Sequence, residues 1–281
     1  MTIAITGATG QLGQLVVQSL KARIPADRIV ALVRNPAKAQ ALGVQARAFD
    51  YTQPVEDLAA ALQGIDRLLL ISSNEIGQRG SQHRNVIAAA EQAGVGQITY
   101  TSLLHADRSP LSLAGEHVET EAALKASVLP HVILRNGWYA ENYTGSLPAA
   151  LAHGALIGAA GTGRISAATR QDYADAAAVV LTTEGHAGKT YELAADTAWT
   201  LADLATELSA QSGKQIPYHN LSQADYAAAL VQAGLPEGLA EAIAGWDSGA
   251  AQDALFDDSR VLSGLIGRPT TSLADAVRAA L

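Results

Sequence analysis

The sequence predicts an α/β protein: a doubly wound parallel sheet with strand order 3-2-1-4-5-6, Rossmann-like, followed by a smaller and mostly helical C-terminal lobe. Three observations carry this. Short apolar runs alternate with helical patterns through the first half of the chain, which implies right-handed crossovers and a sheet covered on both faces. The first apolar run ends in Gly7, Gly10 and Gly13, a spacing that lets a strand turn sharply into a helix. After about Tyr143 the pattern changes: Gly154, Gly158, Gly161 and Gly163 interrupt it, and helices dominate. A length of 281 residues, 48% hydrophobic and 16% charged, suits a compact core of that size.

Residues 3–5 form the expected first strand, and Leu12, Val16, Val17 and Leu20 mark the first helix. Between them, Thr6, Gly7, Ala8, Thr9, Gly10, Gln11 and Leu12 make a turn whose backbone can approach a pyrophosphate, with the helix N-terminus supplying free N–H groups. The pattern is G-x-x-G-x-x-G, one residue longer than the general dinucleotide fingerprint. Its position between a strand and a helix favours a dinucleotide site over a bare glycine turn. Further strands are expected at 29–33, 47–49, 67–72, 97–101 and 131–134, with helices at 37–42, 55–63, 82–93 and 115–127. Beyond Tyr143, helices are expected at 170–182, 201–212, 223–233, 239–244 and 273–280, and short strands at 189–193 and 215–220. Residues 1–143 thus read as a dinucleotide-binding domain with return segments from the C-terminal half, and 144–281 as a smaller substrate lobe. Ligands are expected outside the carboxyl ends of the strands, at the switch between strands 1 and 4, in a crevice closed by that lobe.

The cofactor can be read from strand 2. An NAD-specific site places an acid at its end, but here the chain runs Val33-Arg34-Asn35-Pro36-Ala37-Lys38. Arg34 is a fork-shaped cation suited to a phosphate, and Lys38 adds a second charge. NADPH is expected, with NADH weaker; the competing reading is a solvated basic loop. Asp50, at the end of strand 3, either accepts from the adenine amino group or caps the turn before Tyr51-Thr52.

Composition excludes several classes. There is no cysteine, so thiolate catalysis and disulfides are out. The seven histidines lack metal-ligand spacing, so no metal is expected; the nicotinamide cofactor is expected to act without a flavin. A net charge of −8 argues against nucleic-acid binding. No run is apolar enough to insert in a membrane and no leader pattern is present, so a cytoplasmic protein is expected. An oligomer is left open.

After strand 6 the chain gathers Trp138, Tyr139, Asn142 and Tyr143, in a sequence only 5% aromatic. These rings suit a planar aromatic acceptor, or form a buried cluster joining the lobes. His105 and His117 are candidate proton donors, or structural hydrogen-bonding groups like His83. Arg170, opening the helix at 170–182, touches the cofactor or anchors the lobes.

The glycine turn and the alternating pattern resemble the short-chain dehydrogenase/reductase superfamily. Most of its members carry a catalytic Tyr-x-x-x-Lys on the helix after strand 5. Here His117 and Glu121 stand in those places, while Ser102 is retained at the end of strand 5. Without the tyrosine, reduction of a ketone lacks its acid, and epimerase or dehydratase chemistry loses its acid/base pair. A quinone is less demanding: its reduced oxygen titrates near a tyrosine, about 10, and general acid catalysis is worth roughly 10²–10⁴-fold.

Further segments carry a more specific resemblance: VRNPAKAQAL (33–42), LLLISS (68–73), YTSLLHAD (100–107) and LRNGWYAENY (134–143). Over nearly its whole length the chain resembles the NmrA-like, atypical branch of that superfamily, nearest to type 2 NAD(P)H:quinone oxidoreductases and next to triphenylmethane dye reductases. The resemblance implies that Gly7, Thr9, Gly10, Gln11 and Leu12 cradle the phosphates and that Arg34 and Lys38 take the 2′-phosphate. It puts Ile71, Ser72 and Ser73 beneath the ribose, and Asn74 among the cofactor-binding residues. Asn136, Gly137, Trp138, Tyr139, Ala140, Glu141 and Asn142 would lie beside the nicotinamide, with Ser102 near it. The expectation is an NADPH-dependent reductase of quinones and of dye-like acceptors, with His105, Tyr139 and Asn142 in catalytic roles. The alternative is a non-catalytic NADP(H)-sensing regulator acting through a protein partner.

Overall fold

The structure, a computed structural model, describes residues 1–281. It divides into two compact units. Unit 1 comprises Met1–Asp107, Leu113–Asn136 and Arg170–Leu193; unit 2 comprises Arg108–Ser112, Gly137–Thr169 and Ala194–Leu281.

Unit 1 holds seven strands: β1 (Ile3–Thr6), β2 (Ile29–Val33), β3 (Gln45–Ala48), β4 (Arg67–Leu70), β5 (Gln97–Leu103), β6 (His131–Asn136) and β8 (Thr190–Leu193). They form one sheet in the order β3-β2-β1-β4-β5-β6-β8, every pair parallel. The expected order 3-2-1-4-5-6 is present and gains a seventh strand, β8, from the segment expected at 189–193. Its helices are α1 (Gln11–Lys21), α2 (Val55–Ala61), α3 (Arg79–Ala93), α4 (Ala114–Ala126) and α7 (Arg170–Thr182). α1 packs against α7, while α2, α3 and α4 pack in succession. Alternation along the strands explains the division of the core. Ala4, Leu68, Leu70, Ile98 and Tyr100 point to one face, where they meet Leu58, Val86 and Leu124 from α2, α3 and α4. Strands buried on both faces read as continuous apolar runs, which is why β1, β2 and β4 were legible as such.

In unit 1 the segments expected as helices at 37–42 and 82–93 differ in type or start. Residues 36–42 form a 3-10 helix, begun by Pro36 with Asn35 Oδ1 capping the Ala37 N–H and ended by left-handed Gly43. α3 starts at Arg79 rather than at 82 because its first turn buries polar groups, Arg79, Gln82 and His83, which an apolar periodicity cannot detect.

Unit 2 contains α5 (Ala140–Thr144), α6 (Leu147–His153), β7 (Leu156–Gly158), α8 (Leu201–Ser212), β9 (Tyr218–Asn220), α9 (Gln223–Gln232), α10 (Glu237–Ala250), α11 (Val261–Ile266) and α12 (Leu273–Ala280). β7 and β9 pair in parallel. Thr200, Ser222 and Ser272 each cap a helix, accepting from the backbone N–H of Asp203, Asp225 and Asp275. These caps set the starts of α8, α9 and α12. α10 is longer than the expected 239–244, since it buries small residues, Ala240, Ala244, Gly249 and Ala250, that carry little hydrophobic signal.

Candidate functional site

The carboxyl edge of the unit 1 sheet carries most of the expected site. Gly7, where β1 ends, has φ +59°, the left-handed region that glycine enters without strain. Gly13 sits in the first turn of α1, and a Cβ there would lie 2.3 Å from the Gly7 carbonyl oxygen and 2.7 Å from Ala8 Cα. Only glycine lets α1 approach the turn so closely. The α1 N-terminus has no side-chain cap at Gly10 and no acid in its first turn, so its free N–H groups and dipole are left to an anion.

The switch between β1 and β4 is pinned by Thr6. Its hydroxyl donates to the Leu69 carbonyl at 3.2 Å and accepts the Ile71 N–H at 2.9 Å. Tyr51 donates to the Ile71 carbonyl at 2.7 Å and also touches the Thr6 hydroxyl. The Thr6 side chain is therefore committed to the sheet, and Ala8 is fully buried. Arg34 and Lys38 are exposed. Glu75 lies 3.7 Å from Arg34 across a solvated gap, a pairing worth little in water. Asp50 takes up the turn role: Oδ1 accepts the Thr52 N–H at 3.1 Å and the Thr52 hydroxyl at 2.9 Å.

Behind residues 71–74 lies a buried polar network that the sequence did not show. The Ser73 N–H donates to His83 Nε2 at 3.0 Å, and His83 Nδ1 lies 2.9 Å from the Thr120 hydroxyl. A backbone N–H can only donate, so His83 carries its proton on Nδ1. Arg79 donates to the Ser73 carbonyl, and Glu116 Oε1 accepts from the Gly77 and Arg79 N–H groups at 2.9 and 3.1 Å. His117, expected as a proton donor, is 5% exposed, with Nδ1 2.7 Å from the Tyr100 hydroxyl and Arg79 beside Nε2. Burial, then the Arg79 charge, pushes it down to about 3, so it is a neutral imidazole near pH 7, without the acidic second proton that a donor needs. Burial, His117 and Arg79 push His83 down to about 3 as well.

Both imidazoles are freer to charge in the unfolded chain, where the ordinary value is 6.5. Between about 6.5 and 3 the unfolded state binds more protons, so folding stability is complete above that window and is lost as pH falls through it. We predict that urea midpoints measured at descending pH drop below pH 6.5, and that His83→Gln makes the drop shallower. A flat profile between pH 6.5 and 4 would contradict the neutral buried pair.

Ser102, at the end of β5, is 5% exposed and donates to Glu121 Oε1 at 2.7 Å. Glu121 in turn is bound twice by Arg135, at 2.8 Å (Nε to Oε1) and 2.7 Å (Nη2 to Oε2). The Arg135 guanidinium is held well above its ordinary range, first by the bond to Glu121. Asn136, the last residue of β6, is 4% exposed, and its side-chain oxygen is buried without a hydrogen-bond partner. Arg170 opens α7, and His105 follows β5.

Gly137 to Asn142 belong to unit 2. Ala140 donates its N–H to the Ala168 carbonyl at 2.9 Å, next to the bridge between Tyr139 and Ala168. The Trp138 ring meets Trp246 edge-on at 5.5 Å, and Trp246 Nε1 donates to the Ser112 hydroxyl at 3.1 Å. Tyr143 meets Trp199 edge-on at 5.1 Å. Both of these ring pairs join residues of unit 2. Glu141 and Tyr139 are half-buried, and Asn142 is exposed. Asp247, beside Trp246 on α10, is 6% exposed, accepts the Ala159 N–H at 2.9 Å, and is pushed up to about 6 by burial.

The sequence placed Glu121 only where the catalytic lysine is missing, and did not show Arg135, Glu192 or Asp247 as members of this chemistry. A signal existed for one of them: Arg135 is a charge that follows the apolar run Val132 to Leu134 in a buried strand, which burial tolerates only when it is paired.

Comparison with known proteins gives a consistent picture. A family described as NAD(P)H-binding matches residues 7–195. Quinone oxidoreductase 2 of Escherichia coli is 62% identical over 98% of this chain and 97% of that protein. The crystal structure of the E. coli NADPH-dependent quinone oxidoreductase complexed with NADPH superposes with a TM-score of 0.96 at 61% identity, covering 99% of both chains. The Citrobacter sp. triphenylmethane reductase complexed with NADP(H) superposes with a TM-score of 0.96 at 40% identity, covering 100% of both.

Proposed function

This chain belongs to the NAD(P)H-binding family, and we propose from that premise that it reduces quinones at the expense of NADPH. The observation that carries the reading is the end-to-end similarity to an E. coli quinone oxidoreductase solved with NADPH. The residues present fit that cofactor. The close approach of α1 to Gly7 leaves a cradle without side chains, the uncapped α1 N-terminus suits a pyrophosphate, and the buried Asn136 oxygen lacks the donor that a carboxamide would bring. When bound, NADPH supplies a hydride to the acceptor.

In this reading Gly7, Thr9, Gly10, Gln11 and Leu12 bind the pyrophosphate through their backbone, and Ile71 to Asn74 line the ribose. Arg34 and Lys38 take the 2′-phosphate, so NADH binds more weakly. Asn136 and the segment Gly137 to Asn142 hold the nicotinamide and a flat acceptor face to face, with Tyr139 and Asn142 against the reacting rings. No metal or flavin is part of the scheme, and a cytoplasmic location goes with it. The buried network behind Ser73 fixes the ribose-facing segment, so cofactor orientation does not depend on an exposed loop. No helix of the structure is long and apolar enough to cross a membrane.

The direct test follows the reduced-nicotinamide absorbance with a small naphthoquinone. Quinone-dependent loss well above the uncatalysed rate, faster with NADPH than with NADH, is the expected result. Tight NADPH binding without turnover would replace the reductase with a nucleotide sensor.

Arg34→Ala tests the 2′-phosphate contact. Losing a charge-assisted bond of about 1.5–3 kcal/mol raises the NADPH KM about 10- to 100-fold while the NADH KM stays within about twofold. Equal losses with both would reject the assignment.

A further inference from the structure

The cation assigned to the 2′-phosphate already has a neighbour of opposite charge. Arg34 Nη1 lies 3.7 Å from Glu75 Oε1, and both side chains reach solvent. β2 and β4 flank β1 in the sheet, so the segments that follow the two strands meet at its carboxyl edge. Surface pairs of this kind are weak in general, because two long side chains must be held in one geometry. Here one of the two is held. Glu75 Oε2 accepts from Gln82 Nε2 at 2.7 Å, and Gln82 is 4% exposed. The Glu75 N–H donates to the Ser73 hydroxyl at 3.1 Å. Ser73 is fixed at both of its backbone groups, its N–H donating to His83 and its carbonyl accepting from Arg79. One oxygen of the carboxylate is thus tied to the first turn of α3, while the other lies against Arg34.

This arrangement puts two forces in opposition for NADPH. A phosphate monoester carries about −1.5 to −2 charge near pH 7. Arg34 attracts it, and the anchored carboxylate beside Arg34 repels it. To pair with Arg34 the phosphate must also displace Glu75. NADH has a hydroxyl in place of that phosphate, so it meets no such repulsion and leaves the pair of Arg34 and Glu75 standing. Strand 2 ends without an acid, and Glu75 brings one to the same corner from the segment after β4.

We infer that Glu75 is a specificity-determining residue of the cofactor site: it competes with the 2′-phosphate for Arg34 and so narrows the preference for NADPH over NADH. This rests on the assignment of Arg34 to the 2′-phosphate above. The competition keeps NADH within reach as a second source of hydride.

The test measures direct binding of NADPH and NADH, by nicotinamide fluorescence, to the native protein, Glu75→Gln, Arg34→Ala and the double variant. Glu75→Gln removes the charge and keeps an oxygen for Gln82. It is expected to tighten NADPH about three- to tenfold, a modest gain because the charges are exposed, and to leave NADH within about twofold. The gain should shrink in about 1 M salt, where the screening length falls to about 3 Å. With Arg34→Ala already in place there is no cation to compete for, so Glu75→Gln should gain clearly less. A turn loosened at residues 73–78 would weaken both cofactors alike, so the ratio separates competition from damage to the fold. No gain in NADPH affinity, a loss shared by both cofactors, or an equal gain with and without Arg34 overturns the inference. A native protein that binds NADPH no tighter than NADH, or an Arg34→Ala variant that loses both equally, overturns the 2′-phosphate assignment itself.

Discussion

Gly13→Ala is expected to abolish NADPH binding at concentrations that saturate the native protein, and to lower the melting temperature. Its new methyl would sit 2.3 Å from the Gly7 oxygen, 2.7 Å from Ala8 Cα and 2.9 Å from the Gly7 carbonyl carbon. All three are backbone atoms of the turn, so no side chain can swing aside. Either α1 shifts outward or the turn opens. The first loosens α1 from α7 and the sheet beneath it; the second moves the N–H groups that would meet the pyrophosphate. Overpacking of this kind costs about 1–3 kcal/mol, and a displacement near 1 Å can cost about 10²-fold in a positioned interaction. Its neighbours supply graded controls. A Cβ at Gly10 would meet only the Gly7 oxygen at 3.1 Å, and at Gly7 the space is open but φ is +59°. Gly10→Ala is therefore expected to be mild, and Gly7→Ala to cost about 1 kcal/mol from backbone strain alone. NADPH titration by fluorescence, with thermal unfolding alongside, reads all three. A Gly13→Ala protein that binds and melts as the native one does would show that the close approach of α1 is dispensable.

Much of this was legible in the sequence because apolar runs and glycines report directly on backbone geometry. β1, β2 and β4 are buried on both sides, and Gly13 leaves no room for a side chain. The side chains were harder to read. The sequence set His117 and Glu121 in the places of a missing catalytic pair, and both turned out to face the interior. His117, Thr120 and Glu121 make a polar buried stripe on α4, paired with His83, Tyr100 and Arg135 from elements distant in sequence. Nothing local records such pairing. β8 was seen as a strand but not as part of the main sheet, because one short segment, Thr190–Leu193, carries no mark of its neighbour. In unit 2, β7 spans only Leu156–Gly158, too short for any periodicity, and the partner of Trp138, Trp246, lies far along the chain.

Arg135→Met is expected to be among the most destabilising single changes in unit 1. Glu121 is 2% exposed, and both of its oxygens are held by Arg135. Without the guanidinium the carboxylate keeps the Ser102 hydroxyl and an exposed Lys125 at 3.8 Å. Breaking a buried pair by removing one partner costs about 3–5 kcal/mol, because the remaining charge is left in a medium that cannot solvate it. At about 2–4 °C per kcal/mol for a chain of this size class, the melting temperature should fall by roughly 10 °C. Removing both charges is a different matter: Arg135→Met combined with Glu121→Leu leaves no fully buried ion without its partner, only the part-exposed Glu192 and the exposed Asp107, so most of the lost stability should return. A double variant as unstable as the single one would instead mean that the cost lies in lost packing of the arginine stem, and that the ion pair itself contributes little to keeping β5, β6 and β8 in register.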